Sequence, residues 1–174
     1  MEGTAMGMAG TLRDYLDRHA VAYELLRHSR TRTSSETAEA AHVSGDRLAK
    51  PVVIEDDDRY LVVVIPASQR IDFTALHRAF GRQLGLATEP EVETLFRDCA
   101  PGAVPALAQA YGLDVAVDDA LLELDDVYFE AGDHCELVHI SGDAFRSLMA
   151  SALHGQFSEP MASYGEGRRR PETN

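Results

Sequence analysis

The stretch Lys50-Pro51-Val52-Val53-Ile54-Glu55-Asp56-Asp57-Asp58-Arg59-Tyr60-Leu61-Val62-Val63-Val64-Ile65 decides the architecture. Its β-branched residues fall in two runs, 50–54 and 60–65, each of strand length, while the acidic run 55–58 has nothing apolar to bury. The pattern predicts a hairpin with a solvated tip. The tip is no calcium loop, because it lacks the alternating carboxylates and central glycine such a loop needs. The longest apolar run, Leu61 to Pro66, falls far short of the roughly 20 residues that span a bilayer, so no membrane partner is expected.

Working outward, Thr11 is placed to cap a helix to His19, with Leu12, Tyr15 and Leu16 on one face. A strand is expected over Ala22–Arg27, and a helix capped by Thr33 or Ser34 through His42, before Gly45 breaks it. Downstream, Asp72 caps a helix ending at Phe80, Leu84–Ala87 is strand-like, and Thr88-x-x-Glu91 is a capping box for a helix to Phe96. Asp98 to Gly112 lacks periodicity. Val115–Val117 reads as a strand and Asp119–Glu123 as a helical turn. Asp126–Ala131 and Cys135–Ile140 form a hairpin across Gly132-Asp133-His134. Ser141 caps a last helix whose stripe Phe145, Leu148, Met149, Ala152 ends at Gly155. Interleaved strands and helices with short connections predict one α/β (α+β) domain, a mixed β-sheet with packed helices, over residues 11–155. Tails at 1–10 and 158–174, the latter with Arg168-Arg169-Arg170, are expected to be disordered.

A chain of 174 residues and 19.0 kDa suits one domain. Apolar residues at 45% and charged residues at 26% are ordinary for a globular fold. The net charge of −13 argues against indiscriminate binding to DNA or anionic lipid. The acid is uneven, because residues 1–50 balance seven basic against seven acidic side chains, so any anion is expected to meet the first third. Two cysteines, Cys99 and Cys135, make no disulfide framework. With no basic-then-apolar leader pattern at the N-terminus, a cytoplasmic protein with reduced thiols is expected.

The phosphate loop, dinucleotide fingerprint, nucleophile elbow and HExxH motif are all missing. His134, Cys135 and His139 are the nearest approach to metal ligands, but adjacent strand residues point to opposite faces, so no metal or other cofactor is expected. Four polar elements remain: His28-Ser29-Arg30 at a strand end, Lys50 at a strand start, the loop Pro101-Gly102-Ala103-Val104-Pro105, and Gly132-Asp133-His134. Lys50 is the only lysine among sixteen basic residues. Arg-rich coding explains the depletion but not the position that kept a compact, pKa-shiftable ammonium. Lys50 is therefore either a functional group or a surface survivor.

The ordered set Gly45-Asp46-Arg47-Leu48-Ala49-Lys50, Val64-Ile65-Pro66-Ala67, Asp98-Cys99, Gly102-Ala103-Val104-Pro105, Ala110-Tyr111-Gly112, Val117-Asp118-Asp119 and Tyr128-Phe129-Glu130-Ala131-Gly132-Asp133-His134 resembles the YbaK/prolyl-tRNA synthetase-associated domain family, the aminoacyl-tRNA deacylases. The resemblance implies a mixed α/β fold and hydrolysis of mischarged tRNA, a trans-editing reaction of translation fidelity. It places the family's lysine on Lys50 and its glycine loop on Gly102 to Ala108, with two departures: the motif's proline falls at Ala106, Pro105 lying one place earlier, and its last glycine is Ala108.

On that resemblance, Gly102, Ala103 and Val104 present backbone N–H groups to the ester carbonyl, and Lys50 anchors the terminal phosphate or ribose. A ribose hydroxyl of the substrate orients the attacking water. Pro105 holds the loop, while His28, Asp133 and the neighbouring Gly132 and His134 shape the amino-acid pocket or hold the amine. The partner is the acceptor end of mischarged tRNA. Arg27, Arg30, Arg32 and Arg47 either form a local patch around Lys50, or an aminoacyl-tRNA synthetase or elongation factor supplies the grip. The alternative is a non-catalytic sensor binding an amino acid, aminoacyl-adenylate or small nucleotide.

Overall fold

In the computed structural model of the chain, residues 7–57, 59–81 and 84–161 are described. The chain runs α1 (Gly10–Arg18), β1 (Glu24–Arg27), α2 (Ser34–Ala40), β2 (Ala49–Asp56), β3 (Arg59–Pro66), β4 (Gln69–Ile71), α3 (Phe73–Phe80), β5 (Gly85–Leu86) and α4 (Glu89–Leu95). A 3-10 turn at Ala108–Tyr111 leads to β6 (Asp114–Asp118), α5 (Asp119–Leu122), β7 (Asp126–Glu130), β8 (Glu136–Ser141), α6 (Gly142–Leu148), β9 (Leu153–Gly155) and β10 (Ser158–Pro160). The mixed α/β class expected from the sequence is what forms.

The hairpin β2–β3 is the centre of a five-stranded mixed sheet ordered β5-β2-β3-β6-β9, in which β3 pairs antiparallel to β2 and parallel to β6. Val62 and Val64 enter the main core with Val117, Phe129 and Phe145, while Val63 and Ile65 enter a second core with Ile54 and Leu76 on the opposite face. All four β3 residues are fully buried. A strand covered on both faces has no solvent side, which is why its sequence is continuously apolar rather than alternating. Each of these side chains stabilises the fold by about 1.5–3 kcal/mol of transfer free energy.

One expectation needs correction: the strands do not make a single sheet. The β7–β8 hairpin pairs with β1 in a separate three-stranded sheet, and β4 pairs with β10. The two larger sheets meet where the Tyr128 N–H donates to the Arg47 carbonyl at 2.9 Å, beside a parallel bridge from Leu48 to Tyr128. This seam brings the start of β2, and with it Lys50, alongside β7.

The capping residues read from sequence mostly hold. Thr33, Asp72, Thr88 and Ser141 each accept an N–H of the first turn through the side chain, and Thr88 with Glu91 closes a full capping box. Thr11 does not cap α1. Its own N–H donates to Asp98 Oδ2 at 2.9 Å, inside a helix that begins at Gly10. The helix after Ser141 stops at Leu148; of the residues expected to prolong it, 149–152 turn the chain and Leu153–Gly155 form β9. Likewise α2 ends at Ala40, and His42 takes a left-handed φ of 56°. At both ends the ordered body exceeds 11–155: Met8 and Ala9 are buried, and Ser158–Pro160 pairs with β4. Residues 1–6 and 162–174 of the expected tails, including Arg168-Arg169-Arg170, lie outside the described residues.

Candidate active site

Lys50 sits second in β2, opposite Ile65. Its half-buried ammonium donates to the Gln69 carbonyl at 2.9 Å and has no carboxylate partner among the described residues. Burial pushes its pKa below the ordinary lysine value. One N–H is thus committed and the rest of the charge is available to a ligand.

The loop after α4 approaches the same place. Lys50, Gly102 and Val104 line one cavity of about 390 Å³, together with Leu86, Ala87 and Val92 on the apolar side and Glu130 on the polar side. A second cavity of about 260 Å³ shares Ala87, Glu89, Val92, Gly102 and Val104 and continues to Arg32 and Cys99. A larger cavity, about 540 Å³ around Leu61 of β3, is lined by none of the expected site residues.

Within the loop the three residues expected to offer amides are not equivalent. The Ala103 N–H is consumed by the Ala100 carbonyl at 3.0 Å, and Ala103 is fully buried, which corrects its expected role as a donor to ligand. The N–H groups of Gly102 and Val104 find no acceptor among the described residues, and both residues reach the cavity. Pro105, Ala106 and Ala108 are buried behind them. The departures at Ala106 and Ala108 therefore fall in the core rather than on the cavity wall.

Gly132, Asp133 and His134 lie behind the loop and do not line the cavity. The Gly132 carbonyl accepts from the Ala100 N–H at 2.7 Å, and His134 Nε2 donates to the Pro101 carbonyl, so the β7–β8 turn grips the loop at two points. Asp133 Oδ1 accepts from the N–H groups of Cys135 and Glu136, both at 2.9 Å. It shapes the turn and does not face a ligand. His28 continues the β1–β8 ladder by donating its N–H to the Cys135 carbonyl at 2.9 Å, and it too stands outside the cavity. In place of these expected pocket residues, the structure puts Glu130.

Gly102 adopts φ +79°, and a Cβ there would lie 3.2 Å from His134 Cε1. Gly102→Ala is expected to cost about 1–2 kcal/mol from the left-handed backbone alone. Chemical denaturation should show it as a lower midpoint with an unchanged slope.

Glu130 was not singled out from sequence. It follows the buried Phe129, is 6% exposed, and accepts from Thr37 Oγ1 at 3.0 Å. Burial pushes its carboxyl up to about 7, with Asp133 adding to the rise. The available signal was a carboxylate one residue before a buried turn. Cys99, facing the adjoining cavity, is pushed up to about 12 by burial and stays a neutral thiol, so it is no activated nucleophile. Among the described residues no three His, Cys, Asp or Glu side chains cluster to hold a metal.

The surroundings of Lys50 are less basic than expected. Arg27 is tied to Glu136 at 3.6 Å and Arg47 to Asp126 at 3.0 Å, so of the four expected arginines only Arg30 and Arg32 make no ion pair among the described residues. Arg32 borders the adjoining cavity.

Comparison with known proteins shows the family and the fold. A family model described as the aminoacyl-tRNA editing domain matches residues 28–148. A crystal structure of a hypothetical protein superposes with TM-score 0.76 at 25% identity, covering 86% of this chain and 99% of that one. A candidate trans-editing enzyme for prolyl-tRNA synthetase gives TM-score 0.73 at 23% identity, over 87% of this chain and 96% of that one. A candidate signal transduction protein from Marinobacter aquaeolei VT8 gives TM-score 0.68 at 22% identity; the match covers 85% of this chain and 30% of that longer one. No curated protein sequence matches the chain.

Proposed function

The chain belongs to the aminoacyl-tRNA editing domain family, and from that premise we propose that it hydrolyses the ester joining an amino acid to the terminal ribose of a mischarged tRNA. One observation carries the reading: the sole lysine and the Gly102 loop, 52 positions apart in sequence, line one cavity. A non-catalytic scaffold has no need to bring a half-buried, unpaired ammonium to a turn of unbonded amides.

In the reaction, water adds to the ester carbonyl carbon and the bond to the ribose oxygen breaks. The products are free amino acid and uncharged tRNA. Charge builds on the carbonyl oxygen as the tetrahedral intermediate forms. The N–H groups of Gly102 and Val104 are the donors within reach of that role, and one such donor is worth about 3 kcal/mol in other acyl-transfer enzymes. Lys50 anchors the phosphate or ribose of the terminal nucleotide and fixes the ester against the loop. Leu86, Ala87 and Val92 offer an apolar wall for the base. With Cys99 held as a thiol, no protein nucleophile is invoked, and the neighbouring ribose hydroxyl orients the water.

The charge of −13 bears on affinity. A protein that neutralises few phosphates releases few counterions, so its hold on tRNA is weak unless a synthetase or elongation factor helps. With Arg27 and Arg47 already paired, contact is confined to the acceptor end. Reaction class is tested with alanyl-, cysteinyl-, seryl- and prolyl-tRNA at high protein concentration. At least one is expected to lose its amino acid. If all stay charged while the protein binds an aminoacyl-adenylate analogue, the cavity serves sensing and the deacylase reading is wrong.

A further inference from the structure

Glu130 and Lys50 line the same cavity without forming an ion pair with each other or with any other described residue. The cavity therefore presents one unpaired ammonium and two unpaired carboxyls, of which only Glu130 is buried while Glu89 is exposed. Glu130 is itself more than nine-tenths buried, and while Oε1 accepts from Thr37, Oε2 is buried with no partner. A buried carboxylate oxygen left without a donor is unfavourable, and a ligand N–H that reaches it removes that penalty.

The protons around Glu130 point the same way. Thr37 Oγ1 lies 3.0 Å from the Thr33 carbonyl, 3.0 Å from Glu130 Oε1 and 2.5 Å from the Thr31 hydroxyl. A hydroxyl has one proton, so Thr37 cannot donate to Thr33 and to Glu130 at once. The Thr33 carbonyl already accepts the Thr37 N–H at 2.9 Å, so the hydroxyl proton goes to Glu130 Oε1 and Oε2 is left with no donor. With a cationic ligand the arrangement is best satisfied when Glu130 is ionised and accepts from both sides.

We propose that Glu130 receives the free α-ammonium of the aminoacyl group, so that the site takes esters with an unmodified amine and rejects N-acylated ones. This rests on the deacylase reading above and assigns the amine to Glu130 rather than to His28 or Asp133, neither of which reaches the cavity. An aminoacyl ester on a terminal nucleotide carries a cation at one end and a phosphate at the other, matching the buried carboxyl and the ammonium of the cavity. N-acylation removes the cation and adds bulk, leaving Oε2 unpaired on binding. A site built around such a contact discriminates strongly against the analogue that lacks it.

The groups facing Glu130 fix the pH dependence. Asp133 from the β7–β8 turn opposes its ionisation, the hydrogen bond from the uncharged Thr37 favours it, and Lys50 on β2 and Glu89 at the start of α4 border the same cavity. With the carboxyl titrating at about 7, the ionised fraction, and kcat/KM with it, rises as pH rises through neutrality, until the substrate's own α-ammonium loses its proton at about 7.7–8.0.

The test uses the tRNA panel beside the same tRNAs N-acetylated on the amino acid. Wild-type protein is expected to hydrolyse its free-amine substrate about 100-fold faster than the N-acetyl form. Glu130→Gln is expected to bring the two rates to within about threefold and to abolish the rise in kcat/KM between pH 6 and pH 8, since an amide does not titrate. The wild-type comparison needs no variant and so is immune to misfolding. Equal hydrolysis of free and acetylated esters by wild type overturns the inference and leaves the deacylase reading standing. Loss of neither ester overturns the deacylase reading and this inference with it.

Discussion

Lys50→Met is expected to lower deacylation by about 100-fold or more while moving the melting temperature by no more than about 2 °C. The asymmetry follows from the surroundings of the ammonium. Methionine keeps the length of the half-buried stem, and only the Gln69 carbonyl loses a donor. No carboxylate is left stranded by the change, because none pairs with Lys50 among the described residues. Stability is spared for that reason, whereas under the proposed mechanism the substrate loses the charge that holds its phosphate or ribose against the loop. Lys50→Arg should recover little, since a planar fork on a longer stem cannot keep both the Gln69 contact and the ester position. Single-turnover release of amino acid and a thermal melt on the same preparations decide the matter. Activity retained by Lys50→Met removes the lysine from the mechanism.

The largest effect on stability is expected at Gly142. A Cβ on this residue would lie 1.8 Å from the Leu124 carbonyl oxygen and 3.0 Å from the Asp125 carbonyl carbon, both backbone atoms. Those atoms cannot retreat easily. The Gly142 N–H donates to the Asp125 carbonyl at 2.7 Å, and Arg146 donates to the Leu122 and Leu124 carbonyls at 3.0 Å each. Gly142→Ala must break this set or displace α6 and its buried Phe145, at a cost of about 3–5 kcal/mol. That is a large part of the roughly 5–15 kcal/mol available to an ordinary domain. Gly85→Ala, with nothing within 4 Å of the added atom, is the control and should stay within about 0.5 kcal/mol of wild type. Urea denaturation at one pH measures both, and a Gly142→Ala midpoint near wild type would show that the loop yields.

Local chemistry explains how much was legible. The caps at Asp72, Thr88 and Ser141 act within three residues of themselves, so the sequence states them outright, and at α2 it narrows the cap to Thr33 or Ser34, of which the structure uses Thr33. The apolar run in β3 is equally self-declaring. The short strands β4, β9 and β10 span three residues each and carry no period to read. They exist because a neighbour offers a ladder, not because of what they contain.

For the site, the sequence by itself determined the lysine, the glycine loop and the family, since each is a matter of residue identity in order. It also determined the excess acid, a net charge of −13. Only the tertiary structure decided what each group faces. It gave His134 to holding the loop and Asp133 to shaping the turn behind it, bonded the Ala103 amide within the loop, left the amides of Gly102 and Val104 unbonded, and put Glu130 on the same cavity as Lys50. The physical reason is that a hydrogen bond to a residue tens of positions away, and the burial that shifts a carboxyl toward neutrality, depend on which strands pack together. Strand packing here is fixed by the whole core, and no short window of sequence contains it.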